Sequence, residues 1–247
     1  MQVLEAFRPG ESALRFAQLQ ERTGMPKASL HRLLAELTRL RLLDPHGDEG
    51  YVLGGRLFEL GMRASVERDL LEVATPFLQD LYERTHEIVH LGVREGVEVV
   101  YVAKLGGHRQ ARMPSRLGGR MPLHATAIGK ALLAHAPDDI QQQVLGGPLR
   151  RIAPRTITAP GRLRAQLESV HATGVAYEIE ESSVGTVCVG SAIVSDPDDV
   201  LAAISVSGPA SRFKPQQHAS SVQAAAAGIA ATLARRRELE ETARRAE

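Results

Sequence analysis

Lys27, Ser29, His31 and Arg32 sit close together near the start of the chain and supply the hydrogen-bond donors by which proteins grip nucleic acid. A guanidinium can meet guanine O6 and N7 with two parallel bonds, about 1–3 kcal/mol of discrimination against the wrong base. That makes Arg32 the candidate base reader. Lys27, Ser29 and the backbone amides of a helix start suit phosphate oxygens, and Arg56 is a further candidate backbone contact. Between positions 22 and 41 the chain carries Arg22, Lys27, Arg32, Arg39 and Arg41 against one acid, Glu36. The formal net charge of +1 is uninformative here, because the field that draws a polyanion is that of one face. The same residues also fit an exposed basic helix in an ordinary bundle, or a winged helix that docks protein.

Other chemistry-bearing residues are weaker. Cys188 as a nucleophile needs a base such as His171 or His124, and its flanks Val187 and Val189 argue for an inert thiol. His86 and His90 have helical i, i+4 spacing, but a strand is predicted to begin between them and no third metal ligand is near in sequence. The loop glycines do not spell a phosphate-binding loop. No catalysis, metal or cofactor is therefore expected. Holding a small carboxylate is a different task, and a helix start suits it. Thr126 is a suitable N-cap, which leaves the amides of Ala127, Ile128 and Gly129 at the helix start. Ser205 and Ser207 alternate with Ile204 and Val206, so both hydroxyls share one face of a strand, either a solvated face or a pocket wall. Arg109, Arg112, Arg116 and Arg120 would attract an acid, or simply lie in an exposed loop.

The elements that position these residues follow from periodicity. Val3, Leu4, Ala6 and Phe7 give an amphipathic turn before Arg8-Pro9-Gly10, and Phe16, Ala17 and Leu19 a short helix ending at Thr23-Gly24. Pro26 fits the first turn of a second helix, where its missing N–H costs nothing. Leu30, Leu33, Leu34, Leu37 and Leu40 form one apolar helical face. The other face carries Ala28, His31, Arg32, Ala35 and Arg39, small or donating. Asp44-Pro45-His46-Gly47-Asp48 then separates two short strand candidates. Helix, turn, helix and hairpin in that order predict a winged helix-turn-helix. A connecting helix and a second helical run follow, with Thr75-Pro76 expected to kink or restart the latter. Beyond Glu87 the period becomes that of strands, with a hairpin at Arg94-Glu95-Gly96. Helices are predicted near 127–135, 162–172 and 216–236, strands near 175–179, 187–194 and 200–207, and a fraying charged tail from Arg235. The larger domain thus reads as α+β, an antiparallel sheet with helices packed on it. The expected division is 1–62 for the winged domain, 63–74 for a linker helix and 75–247 for the larger domain.

Composition sets the outer limits. The chain has 247 residues, enough for a small and a larger domain. One cysteine excludes an internal disulfide and suits a reducing compartment. No apolar run nears the ~20 residues of a membrane span, and no signal peptide is visible, so a soluble, cytoplasmic protein is expected.

The segment Thr23-Gly24-Met25-Pro26-Lys27-Ala28-Ser29-Leu30-His31-Arg32-Leu33-Leu34 resembles the recognition motif of the IclR family of bacterial transcription regulators. Tyr51-Val52-Leu53-Gly54 with Leu57 and Leu60-Gly61 resembles that family's wing and linker start. Pro122-Leu123-His124-Ala125-Thr126-Ala127-Ile128-Gly129-Lys130-Ala131-Leu132-Leu133-Ala134 resembles its effector-domain motif. Glu180-Glu181, Gly185, Cys188, Pro197 and Ile204-Ser205-Val206-Ser207-Gly208-Pro209 complete a pattern that spans nearly the whole chain. The resemblance implies a GAF-like effector-binding domain controlled by a small organic or aromatic acid, and repression more often than activation. It implies a homodimer or dimer of dimers, hence a pseudo-palindromic operator in double-stranded DNA. It also implies a ligand-contacting set of Ala127, Ile128, Glu178, Cys188, Ser205 and Ser207; His124 and Lys130 are expected to brace the motif or face solvent rather than act as ligands. Three departures stand out: Arg41 where a glycine is usual, Glu178 where Asp is common, and a short segment before the first helix, as though that helix were clipped. The rivals are an enzyme built on Cys188, and a ligand sensor acting through protein contacts alone.

Overall fold

A computed structural model describes residues 1–61, 65–106, 115–196 and 199–246. The chain divides into two compact units, Met1–Arg68 and Asp69–Glu247. The first contains helices α1 (Gln2–Glu5), α2 (Phe16–Thr23) and α3 (Lys27–Arg39), strands β1 (Leu43–Pro45) and β2 (Tyr51–Leu53), and helix α4 (Arg56–Gly61). Helix α2 ends where Gly24 turns left-handed at φ 64°, a conformation glycine adopts without steric cost. Pro26 is the N-cap of α3, one position outside the predicted first turn. Val3, Leu14, Leu19, Leu30, Leu34 and Leu43 form the core of this unit, with Leu33 and Leu37 packed at its edge.

Leu40 departs from the predicted apolar face. It lies one residue beyond α3 and is 44% exposed, because the chain leaves the helix there. As the C-cap, Leu40 still donates to the Glu36 carbonyl at 2.9 Å, and the chain turns away at the next residue, Arg41, at φ 58°. Strands β1 and β2 pair antiparallel, and Leu14 exchanges two backbone bonds of 2.9 Å with Tyr51. The hairpin is thereby tied to the core. Gly54 closes it: a Cβ there would lie 2.2 Å from the carbonyl oxygen of Arg41.

Helix α5 (Ser65–Thr85) runs past the predicted linker end at 74; the predicted limit between 62 and 63 falls outside the described residues. The expected restart at Thr75-Pro76 does not occur, since the helix continues through Pro76. Pro76 is exposed, and its missing N–H removes one bond from the helix ladder there.

The second unit is built on one antiparallel sheet. Its strands are β3 (Ile88–Glu95), β4 (Glu98–Leu105), β5 (Arg120–Pro122), β6 (Ala176–Ile179), β7 (Thr186–Asp196) and β8 (Asp199–Pro209), in the order β5-β4-β3-β8-β7-β6. Strand β5 falls where only loop is predicted; it pairs with β4 through Met121 and Val99. Helices α6 (Ala127–Ala134), α7 (Asp138–Gly146), α8 (Pro160–Thr173) and α9 (Ala219–Ala246) complete it. Nothing in the sequence reading foresees α7. Val89, Leu91, Val189, Ile204 and Val206 face a core shared with α5 and α9. On the other side Tyr101, Ala176 and Ala203 pack with Ile128 and Leu132 of α6 and Leu163 and Leu167 of α8. The expected fraying from Arg235 is not seen: α9 continues to Ala246, and Arg236 pairs with Glu72 at 2.5 Å.

Candidate functional site

On α3, Lys27, Ala28, His31 and Arg32 are exposed and Ser29 is half-buried, because the leucines at 30 and 34 claim the inward side. His31 is exposed yet braced: its ring stacks on Phe16 of α2, centroids 4.2 Å apart. The cation cluster is thinner outward than the sequence suggests. Arg22 turns back to Glu11 through bonds of 2.6 and 2.8 Å and to the Ala6 carbonyl. This pair holds the Glu11 carboxyl down at about 2, chiefly through the bond from Arg22. Arg39 pairs with Glu36 at 2.9 Å. Lys27 and Arg32 have no acidic partner among the described residues. Arg56 opens α4, half-buried and 3.6 Å from Glu59.

The second constellation is assembled by strand register. Glu178 of β6, Cys188 of β7, Ser207 of β8 and Ile88 of β3 are successive cross-strand partners. The next row on the same face runs Ala176, Gly190, Ser205, His90 and Lys104. Gly190 lets a helix approach: a Cβ there would lie 3.2 Å from the carbonyl carbon of Ala127 and 3.3 Å from its Cβ. Ile128 likewise stands over Gly92. All six residues of the predicted ligand set therefore gather at one sheet face beneath the start of α6.

The polar members are buried. Ser205 and Ser207 are 3% and 1% exposed, so the solvated-face alternative fails. Thr126 caps α6, its hydroxyl accepting from the Gly129 amide at 2.9 Å. Gly129 is thus removed from the three expected free amides, leaving those of Ala127 and Ile128 without a partner among the described residues. Glu178 is fully buried. Its Oε1 accepts from the amides of Glu181 and Ser182 at 2.6 and 2.9 Å, and its Oε2 from the Cys188 thiol at 2.8 Å. Burial pushes this carboxyl above its ordinary value, against those three donors. Burial and the neighbouring Glu178 push the Cys188 thiol up as well. A protonated, enclosed thiol is a poor nucleophile.

Four further residues belong here that sequence reasoning missed as a set. His90 meets Ser115 Oγ at 2.8 Å, and its ring lies 5.1 Å from that of Tyr101. Burial, with Lys104 nearby, lowers the imidazole to about 3, so it is neutral. Lys104 donates to the Ser115 carbonyl at 2.6 Å, and burial lowers its ammonium. Burial also raises the Tyr101 phenol, with Cys188 and Glu178 adding to the effect. The available signal was parity: His90 shares its strand face with Ile88, opposite Ser207, once the pairing is known.

Of bracing and facing solvent, the two expectations for Lys130 and His124, the first fits both. Lys130 is fully buried, donating to Glu181 at 2.7 Å and Gln166 at 2.8 Å, and His124 meets the Arg150 carbonyl at 3.0 Å. Arg120 is engaged by Glu95 and Glu98, while Arg116 is exposed. Arg109, Arg112 and Pro197 lie outside the described residues. Among the described residues no group of three or more His, Cys, Asp or Glu could hold a metal ion. No described helix is long and apolar enough to cross a membrane.

Comparison with known proteins agrees with this arrangement. Residues 1–47 match the IclR helix-turn-helix domain, and residues 62–233 the C-terminal domain of bacterial transcriptional regulator IclR. The chain is 34% identical over 209 residues to the HTH-type transcriptional regulator KdgR of Escherichia coli, covering 84% of this chain and 80% of that one. It is 35% identical over 191 residues to the HTH-type transcriptional repressor AllR of Escherichia coli, covering 76% and 70%. Among solved structures, an IclR homologue from Microbacterium hydrocarbonoxydans complexed with 4-hydroxybenzoate superposes with a TM-score of 0.88 at 30% identity, covering 93% of this chain and 95% of that one. The helix-turn-helix with its exposed α3 face, the α+β effector-domain fold and these matches agree: the chain belongs to the IclR family of transcriptional regulators, DNA-binding proteins rather than enzymes.

Proposed function

We propose that the protein is a cytoplasmic repressor whose grip on a pseudo-palindromic operator is set by a small organic or aromatic acid. The acid sits between the amides of Ala127 and Ile128 and the Glu178, Cys188, Ser205 and Ser207 face. The observation that carries this reading is the seating of the α6 start on Gly190. It brings the positive end of a helix dipole, with two amides that have no partner among the described residues, against a sheet face that carries buried hydroxyls. His90, Tyr101 and Lys104 extend the same face, giving an aromatic ring one apolar wall and two donors. The 4-hydroxybenzoate held by the Microbacterium relative is an acid of this class, and AllR is named a repressor.

Lys27, Ala28, Ser29, His31, Arg32 and Arg56 form the DNA contact surface in this reading. Residues 1–62 act as the DNA-binding domain, 63–74 as the linker helix and 75–247 as the effector domain. The protein works as a homodimer or dimer of dimers. Phe58 and Leu60, 74% and 45% exposed on α4, are apolar surface that a second copy would cover.

The test is a thermal-shift screen of small organic and aromatic acids, followed by shift assays on the protein's own upstream region at two salt concentrations. A binder of the folded form raises the melting temperature by mass action. Operator affinity should fall with salt at a log–log slope of about −0.9 per phosphate contact, and the acid that stabilises should change that affinity. An acid that binds without moving DNA affinity would remove the regulatory reading, and a salt-independent shift would remove the groove contact.

A further inference from the structure

A second cavity in the effector domain has none of the six sheet-face residues in its lining. It has a volume of about 480 Å³ and is walled by Arg151, Arg155, Thr158 and Arg162, with Gln166 and Glu181 beneath. That size is within the range of small-ligand sites. Its charge is one-sided. Lys130 neutralises Glu181 from behind at 2.7 Å, and Glu180 offsets Arg155 at 2.8 Å. Arg151 and Arg162 have no acidic partner among the described residues, so the cavity carries net positive charge.

The donors are held in place. Arg151 is braced by the Pro154 carbonyl at 2.7 Å and Thr158 Oγ1 at 3.4 Å. Gln166 gives its carbonyl oxygen to Lys130, which leaves its NH₂ group as a donor. Helix α8 begins at the rim with no side-chain cap; Pro160 has no N–H and the Arg162 and Leu163 amides bond the Ala159 carbonyl, so it is the helix dipole that adds to the same field. The loop bearing Arg151 and Arg155 is pinned by Thr156, whose hydroxyl accepts from the amides of Ile152 and Ala153 and meets the Glu181 carbonyl at 2.6 Å. Beneath, Glu181 Oε2 is a buried acceptor without a partner among the described residues.

We infer that this cavity is a second, independent ligand site for a small hydroxylated polyanion, one bearing a phosphate or two or more carboxylates. Arg151 and Arg162 take the anionic groups, and a ligand hydroxyl completes the acceptor at Glu181. A monoanion suited to two backbone amides, as at the sheet face, leaves a guanidinium uncompensated here. The two sites share a wall: the Glu181 amide donates to Glu178 Oε1 at 2.6 Å. Occupancy of one therefore has a short route to the other, and any coupling must be reciprocal.

The full-length chain is titrated by calorimetry with glycerol phosphate, with citrate and with benzoate. Saturable binding of glycerol phosphate or citrate but not of benzoate at this cavity is expected, and whichever of the two binds identifies the anionic group. Arg162→Gln and Arg151→Gln, both at exposed positions, should each weaken it roughly tenfold, the loss of one charge-assisted bond. Ser205→Ala, at the sheet face, should leave it unchanged. Absence of binding by both polyanions overturns the inference. So does binding that the arginine substitutions leave intact, or that Ser205→Ala abolishes while they do not.

Discussion

The Cys188 thiol donates to Glu178 Oε2 at 2.8 Å inside a domain that buries both residues. Two backbone amides occupy the other carboxylate oxygen, so the thiol is the donor that completes the shell on Oε2. A buried acceptor left unmet costs about 1–3 kcal/mol. Cys188→Ala should therefore destabilise the effector domain by an amount of that order, and Cys188→Ser, which keeps a donor, by clearly less. Urea unfolding of the three proteins measures this. Equal losses in both variants would mean that the bond contributes nothing beyond packing. The same enclosure predicts that the native thiol resists alkylation until the domain unfolds.

His90 makes the domain sensitive to acid. Its folded value of about 3 lies far below the ordinary 6.5, because burial disfavours the imidazolium. The unfolded chain takes up the proton first, so the stability held by neutral His90 is complete above pH 6.5 and is lost as the pH falls toward 3. The slope of that loss is about 1.4 kcal/mol per pH unit. Glu178 works in the opposite sense: its raised value stabilises the fold below 4.5, and this contribution disappears as the pH rises through the folded value. His90→Gln should flatten the unfolding free energy between pH 6 and 4.5 by about one proton. An unchanged slope would place the acid sensitivity in another group.

These two groups also mark the limit of sequence reasoning. Helix α3 was legible because a leucine stripe has only one way to bury itself, and Ser205 and Ser207 were legible as a pair because strand parity is local. What puts Glu178 beside Cys188, and His90 beside Ser205, is the register of four strands drawn from distant parts of the chain. Register depends on pairings that no local period encodes. Leu40 shows the converse limit: it caps the helix end as periodicity places it, yet it is exposed, because the left-handed Arg41 that follows takes the chain away from the core.

Arg41 is itself a source of strain. A non-glycine residue at φ 58° crowds its own Cβ against the backbone, at a cost of roughly 1–2 kcal/mol. Bonds from the Arg41 amide to the Thr38 carbonyl and from the Leu42 amide to that of Leu37, both 2.9 Å, hold it there. Arg41→Gly should raise the stability of the winged unit by about 1 kcal/mol, partly offset by the added freedom of glycine in the unfolded chain. Denaturation followed by a probe in this unit would register the gain. A loss instead would show that the arginine side chain makes a compensating contact.

The outward face of α3 separates two kinds of cation. Lys27 lies in the first turn and, like the amides there, suits phosphate; Arg32 stands one turn further, next to the His31 ring that Phe16 holds in place. Lys27→Ala should weaken operator and unrelated DNA alike and reduce the salt slope by about one. Arg32→Ala should cost about 1–3 kcal/mol on the operator and far less on unrelated DNA, relaxing specificity at one base pair. Phe16→Ala adds a control for the brace: without the stacked ring His31 loses its orientation, so operator affinity should fall while the salt slope stays the same. Equal losses on both DNAs for Arg32→Ala would reassign that residue to the backbone, and base reading would then have to come from another part of the winged unit.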